Sequence, residues 1–236
     1  MQFHIASKLQ KHFKGFCSSP EVIMLFVYMK CRFSLSYREL EEIAYIRGAV
    51  IDHSTLQRWI KRFVPLIDKQ VRKRKKPVGR SWRMDETYIK LNGRWIYLYR
   101  AVDSLGNTIE FLLRKHRDRD AAKAFFRKAF KNNDCPDKIN IDKSGSNISA
   151  LNSANDNLLE EEKITIYQNK YLNNIMEQDH RFIKKRTRPM LGFKNFQSTK
   201  ITIAGIENLR MMQKGQIVGA DAHLYAFENF KTLMTS

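Results

Sequence analysis

The chain has 236 residues, of which 43% are hydrophobic, with 15 Phe and 9 Tyr. That is enough apolar side chain for a packed core, so a disordered chain is excluded, and the length suits one sizeable domain with a small accessory one. A net charge of +19 points to a polyanionic partner, DNA or RNA.

Three cysteines, Cys17, Cys31 and Cys135, form no CxxC pair and are odd in number. They argue against a disulfide framework and for a reducing compartment. The apolar run VIMLFVYM at 22–29 is far shorter than the roughly 20 residues that span a bilayer. No signal-peptide pattern precedes it. A soluble, cytoplasmic protein is expected.

Residues 1–70 read as helical. In PEVIMLFVYMKCRF, Pro20 stands at a helix start. In SYRELEEIA, Ser36 and Glu39 fit a capping box, and Tyr37, Leu40, Ile43 and Ala44 follow helical spacing. Gly48 breaks this helix. A second capping box is expected at Ser54 and Gln57 in STLQRW, followed by a buried stripe of Leu56, Trp59, Ile60 and Phe63 that ends near Pro65. Gln57, Arg58, Lys61 and Arg62 fall on the outer face. Two capped helices around a glycine turn, the second with a basic face, suggest a helix-turn-helix whose second helix enters a DNA major groove. A plain helical hairpin with a solvated face has the same pattern. RKRKK at 72–76, followed by Pro77 and Gly79, reads as an exposed basic linker that can contact phosphates.

From residue 80 the period changes to that of strands. SWRMDETYIKL and RWIYLYRAVD flank Asn92-Gly93, a strong hairpin signal, and TIEFLLRKH follows Leu105-Gly106-Asn107. RDAAKAFFRKAFKNN is an amphipathic helix with Ala122, Phe125, Phe126, Ala129 and Phe130 on one face. Then come a short strand DKINID, a weaker helix or loop SNISALNSANDNLL, a strand KITIYQ, a helix NKYLNNIMEQDHRFIKKR and a further helix within 198–215. The tail from about residue 220 carries no clear signal. The order β-β-β-α-β-α-β-α is α/β and that of a ribonuclease-H-like fold. The linear division is 1–70 helical DNA-binding region (helix-turn-helix at about 36–64), 71–80 basic linker, 81–215 catalytic domain and 216–236 tail.

Three acidic residues stand in dense motifs: Asp85 in WRMDETYIK, Asp142 in INIDKSGSN and Glu177 in KYLNNIMEQDHRFIKKR. Phosphodiester chemistry needs an activated oxygen nucleophile and a stabilised leaving oxygen, and divalent metals held by a few carboxylates supply both. Asp142 ends a short strand before a small-residue turn, where open α/β sheets place their sites. Glu177 is mid-helix, with His180, Arg181 and Lys184 on its face. These four divide into a metal-facing carboxylate and three phosphate-facing side chains, and Asp179 points elsewhere. A lone strand Asp or helix Glu is usually structural, and spacing does not exclude Asp103 as a rival. The remaining histidines are scattered and form no metal cluster. Ser144 lacks a nucleophile-elbow context.

The chain closely resembles the bacterial insertion-sequence transposases with an Asp-Asp-Glu triad, most of all the insertion sequence six family. The resemblance runs from SYRELEEIAYIRGAVIDHSTLQRW through WRMDETYIKLNGRWIYLYRAVDSLGNT and HRDRDAAKAFF to KYLNNIMEQDHRFIKKR, LGFKNFQS and GIENLRMMQKGQ. It implies Asp85, Asp142 and Glu177 as catalytic metal ligands, with 34 residues between the last two as in the family, and Lys184 as a DNA contact. It further implies a ribonuclease-H-like core, Mg²⁺ (or Mn²⁺) as cofactor, and a helix-turn-helix that binds terminal inverted repeats. The implied reaction cleaves one strand at each element end and joins the 3′-hydroxyl to target DNA, giving a cointegrate. Two ends held together imply a dimer or higher homo-oligomer on the DNA, in a bacterial, nucleoid-associated setting. A catalytically silent DNA-binding protein derived from such an element is the alternative, against which the intact triad argues.

Overall fold

The computed structural model describes residues 4–142, 144–156, 158–169, 172 and 174–235. Lys143 of the IDK motif, and Lys170, Tyr171 and Asn173 at the head of the helix expected from residue 169, lie outside these. Packing sorts the chain into two compact units, Met1–Lys76 with Phe193–Ser236, and Pro77–Gly192.

The first unit begins with α1 (Ser7–Gln10) and α2 (Pro20–Arg32), where Ser19 caps and Pro20 opens the first turn. Helix α3 (Tyr37–Ile46) carries the expected capping box: Ser36 Oγ accepts from Glu39 N–H at 3.1 Å, and the Glu39 carboxylate accepts from Ser36 N–H. Gly48, at φ +74°, takes the left-handed conformation that turns the chain out of α3.

Helix α4 (His53–Arg74) departs from expectation at both ends. Its cap is Asp52, not Ser54. The Asp52 carboxylate accepts from the N–H groups of Ser54 at 2.8 Å and Thr55 at 3.0 Å. A full negative charge satisfies the first-turn donors and the helix dipole better than a hydroxyl. Nor does the helix stop at Pro65. Proline removes one backbone donor, but Phe63, Val64, Ile67 and Val71 are all buried and carry the helix on past it. The basic run therefore begins inside α4. Its continuation is tied down, because Lys76 N–H donates to Gln216 O and Val218 N–H to Arg74 O, both at 2.8 Å.

The second unit is a five-stranded sheet. Strands β1 (Ser81–Leu91), β2 (Arg94–Asp103) and β3 (Thr108–Arg114) form an antiparallel meander. Asn92 at φ 47° and Gly93 at φ 77° form the tight turn that the Asn-Gly pair foretold. Helix α5 (Arg119–Asn132), capped by Asp118, leads to β4 (Lys138–Asn140). Then come α6 (Gly145–Asn155), β5 (Thr165–Tyr167) and α7 (Asn174–Thr187). The order is β3-β2-β1-β4-β5, with β4 parallel to β1 and β5 parallel to β4. This mixed sheet, with its strand order and directions, is the ribonuclease-H-like arrangement that the pattern predicted. Trp82, Met84 and Tyr99 on one sheet face pack against Phe125, Phe126 and Ala129 of α5. That apolar layer fixes the strands whose ends carry the site.

The chain then returns to the first unit through α8 (Phe196–Gln213), which packs on α2 and α4. Gly205 makes this approach possible: a Cβ there would lie 2.3 Å from Cys31 Sγ. The tail, which has no clear signal in sequence, forms α9 (Ala226–Thr235). Its Phe230 ring sits 5.3 Å from that of Tyr28 on α2. The helix expected at 198–215 thus belongs by packing with the N-terminal helices and not with the sheet.

Candidate active site

Asp85 is central in β1, and Asp142, expected to end its strand, lies two residues past the end of β4. Pairing between the two strands stops at Arg83–Asn140, so beyond it β1 has an open edge. Asp142 stands next to that edge because β4 carries the chain to it. Glu86 joins them, and ligand oxygens of Asp85, Glu86 and Asp142 lie within 4.8 Å of one another. Strand alternation sends neighbouring side chains to opposite faces. The two meet because the Asp85 carboxylate curls back to accept the Glu86 N–H at 2.8 Å.

The cluster has one cation and one amide. Arg117, in the loop before α5, donates from Nη2 to Asp142 at 2.9 Å and to Glu86 at 3.3 Å. Asn147, fully buried in the first turn of α6, donates from Nδ2 to Glu86 at 3.1 Å and to Asp142 at 3.4 Å. Three carboxylates with one guanidinium leave net negative charge. Burial, then repulsion from Glu86 and Asp142, raises the Asp85 carboxyl to about 6, against the lowering effect of the Glu86 N–H and Arg117. Burial also raises Glu86, opposed by Arg117 and Asn147.

These residues fit a hard divalent cation. The donors are oxygens only, with no Cys or His in the cluster. The repulsion that lifts Asp85 is what such a cation would relieve. Asn147 Oδ1 is also buried without a hydrogen-bond partner among the described residues, a neutral oxygen beside the carboxylates.

Glu177 is not part of this cluster. It is exposed on α7, one turn before His180. Helix α7 packs on β1, and His180 Nδ1 lies 3.8 Å from Asp85 Oδ2, too far for a hydrogen bond. Burial, then Arg100 and Lys184, lower the His180 ring to about 3, so it is neutral and forms no ion pair with Asp85. His180, expected to face phosphate, is instead buried at 5% exposure, because α7 turns that position onto the sheet. Arg181 is exposed and Lys184 half-buried. Asp179, expected to point elsewhere, is instead buried against the sheet, where it pairs with Arg100, the cross-strand partner of Asp85. Asp103 is settled as structural: its carboxylate accepts from the N–H groups of Gly79, Leu105 and Asn107 and from Asn107 Nδ2, at 2.8–3.0 Å.

In the first unit, Leu56, Trp59, Ile60 and Phe63 are buried as expected, and Gln57, Arg58, Lys61 and Arg62 are exposed. Arg58 is held in place by Thr55 Oγ1 at 2.7 Å, itself tied to the Asp52 cap.

Sequence reasoning assigned no role to Glu86, Arg117 and Asn147. Their signals were present: an acid next to Asp85 in DET, an arginine in HRDRDAA and an amide in KSGSN.

A ribonuclease-H-like sheet with carboxylates clustered at the meeting of its first and fourth strands defines the class of DDE proteins that act on nucleic acid. The family model described as a DDE domain (DDE_Tnp_IS240) matches residues 79–216. The chain is 37% identical over 200 residues to the transposase for insertion sequence-like element IS431mec of Staphylococcus aureus (strain Mu50), covering 83% of this chain and 86% of that one. The same figures hold for the transposase for element IS257 in transposon Tn4003 of Staphylococcus aureus. The chain belongs to the insertion sequence six family of bacterial DDE transposases. Among solved structures, the HTLV-2 integrase catalytic core with magnesium (trimeric form) is 17% identical, with a TM-score of 0.42, covering 58% of this chain and 88% of that one. The catalytic core of BIV integrase is 14% identical, with a TM-score of 0.42, covering 64% of this chain and 92% of that one.

Proposed function

We propose that the chain is an active transposase that nicks the ends of an insertion sequence and joins the freed 3′-hydroxyls to target DNA, forming a cointegrate. The observation that carries this is the Asp85–Glu86–Asp142 cluster at the open edge of β1, under a helix that bears Glu177. Asp85, Asp142 and Glu177 would hold Mg²⁺, or Mn²⁺ in its place. When bound, the metal supplies positive charge to the attacking and leaving oxygens of the phosphodiester.

The chain's own residues do the rest. Arg117 and Asn147 orient Glu86 and Asp142, so the carboxylates are set before DNA arrives. Neutral His180 packs beside Asp85 and excludes water from that side without adding a competing charge. Arg181 and Lys184, one and two turns after Glu177, are assigned to the phosphates flanking the reacting one. Helix α4, with Gln57, Arg58, Lys61 and Arg62 on its exposed face, is assigned to the major groove of the terminal inverted repeats. Residues 1–70 are thereby assigned to end binding and the sheet unit, Pro77–Gly192, to catalysis. The working form is a homodimer or higher oligomer on DNA, in the bacterial cytoplasm at the nucleoid. Among the described residues no helix is long and apolar enough to cross a membrane.

An assay with oligonucleotide element ends, target plasmid and Mg²⁺ tests this. Strand-transfer products should form with the native chain. End binding without cleavage or joining in either metal would overturn the reading in favour of a silent DNA-binding protein.

A further inference from the structure

Beyond the acidic cluster, the same sheet face continues into an unusual surface. Glu86, Tyr88 and Lys90 alternate along β1 and lie opposite Tyr99, Tyr97 and Trp95 of β2. Tyr88 and Trp95 are 49% and 59% exposed, where apolar rings of this size are normally covered. The rings touch without stacking. Tyr88 meets Trp95 at 6.2 Å and 73°, and Tyr97 at 5.5 Å and 57°.

Trp95 and Tyr97 border an open cavity of about 760 Å³, whose other walls include Arg94, Lys115, His116 and Arg117. Aromatic faces beside Arg94 and Lys115 suit a nucleotide: ring for base, cation for phosphate. Arg117 belongs both to this cavity and to the acidic cluster, which links the two. Along β1, Tyr88 stands about 7 Å and Lys90 about 13 Å past Glu86, a reach of about two to four nucleotides at the rise of a stacked strand.

We propose that Tyr88, Trp95 and Tyr97 form a stacking subsite for an unpaired nucleobase of the DNA strand that the acidic cluster cuts or joins. A paired base inside a duplex has both faces covered by its neighbours, so only an unstacked base can lie on these rings. Arg94 and Lys115 of the cavity wall hold the adjoining phosphates. The subsite rests on the transposase reading for the identity of its strand, but not for the stacking itself.

The test uses intrinsic fluorescence of the full chain. Trp59 and Trp82 are each 2% exposed, so quenching by a single strand reports on Trp95. Titration with fluorescein-labelled oligothymidylate should quench the native chain and raise the anisotropy of the label. Trp95→Ala should abolish the quenching and weaken single-strand affinity at least about tenfold. Affinity for a fully paired end duplex should change less than about twofold. Trp95→Phe, which keeps a ring, should retain most single-strand binding. An unchanged melting temperature confirms that the variants are folded.

Equal single-strand affinity in the native chain and in the Tyr88→Ala, Trp95→Ala double variant overturns the subsite. So does a dimer of the native chain that Trp95→Ala converts to monomer, since a second copy would then be the occupant. A native chain that shows the quenching but no strand transfer sinks the transposase reading and supports the subsite. Strand transfer with no loss of single-strand binding in Trp95→Ala does the reverse.

Discussion

Two acidic corners of the sheet unit contrast sharply. At the β2–β3 corner, Asp103 is 1% exposed and receives four N–H donors. At the β1–β4 edge, three carboxylates share one guanidinium and one buried amide, and the Asp85 carboxyl is pushed up to about 6. Both corners are aspartate at a strand end or edge. The first is saturated and builds a turn; the second is short of donors and suited to bind cations. A carboxylate's role follows from how its lone pairs are satisfied, not from its place on a strand.

The contrast is easiest to break through activity. Asp85→Asn, Asp142→Asn and Glu177→Gln should each reduce strand transfer to background while leaving end binding intact, measured with labelled end oligonucleotides. Asp103→Asn should keep activity per folded molecule. Appreciable joining by any of the first three would remove that residue from the site.

Stability should sort the corners next. Asp103→Ala strands several donors and should cost about 2–4 kcal/mol in urea denaturation. Asp85→Asn should have the opposite sign and stabilise the metal-free protein by about 1–3 kcal/mol at neutral pH. The pH dependence gives the sign independently. The folded pKa of Asp85 is raised to about 6 from 3.8, so folded protein holds that proton more tightly than unfolded chain does. The penalty is therefore fully present above pH 6 and is relieved as pH falls towards 3.8. The stability gap between Asp85→Asn and the native chain should narrow over that range. By the same sign, Mn²⁺ affinity measured calorimetrically should weaken below about pH 6, where metal must displace a proton.

The smallest expected effect concerns Arg117. It is the cluster's internal counter-charge, so Arg117→Ala should lower the melting temperature without metal and tighten Mn²⁺ binding by about fivefold to tenfold. Weaker Mn²⁺ binding in that variant would mean that Arg117 holds the carboxylates in position more than it competes for them.

Much of this was legible in the chain. The Asn-Gly hairpin, the Ser36–Glu39 capping box, the apolar stripe of α4 and the strand-helix order follow from local rules. At the start of α4 one local rule won over another, and elsewhere tertiary contacts outweighed local rules. Asp52 displaced Ser54 as cap because charge satisfies a helix start better than a hydroxyl. Pro65 did not end α4 because buried residues on both sides outweigh one lost hydrogen bond. The tail became α9 because Phe230 and Leu233 find a buried place that no sequence window reveals.

The sequence by itself determined the fold class and the family, because those rest on short-range periodicity and dense motifs, and it singled out Asp85 and Asp142 as candidates. Only the tertiary structure decided the company those carboxylates keep. Glu86, Arg117 and Asn147 come from three separate segments, and they meet because β4 stops pairing with β1 at Arg83 and leaves an edge open. His180 was turned inward, and the aromatic rings of the hairpin outward, by which faces the helices cover and which they leave bare. That is a property of packing, and no stretch of chain encodes it alone.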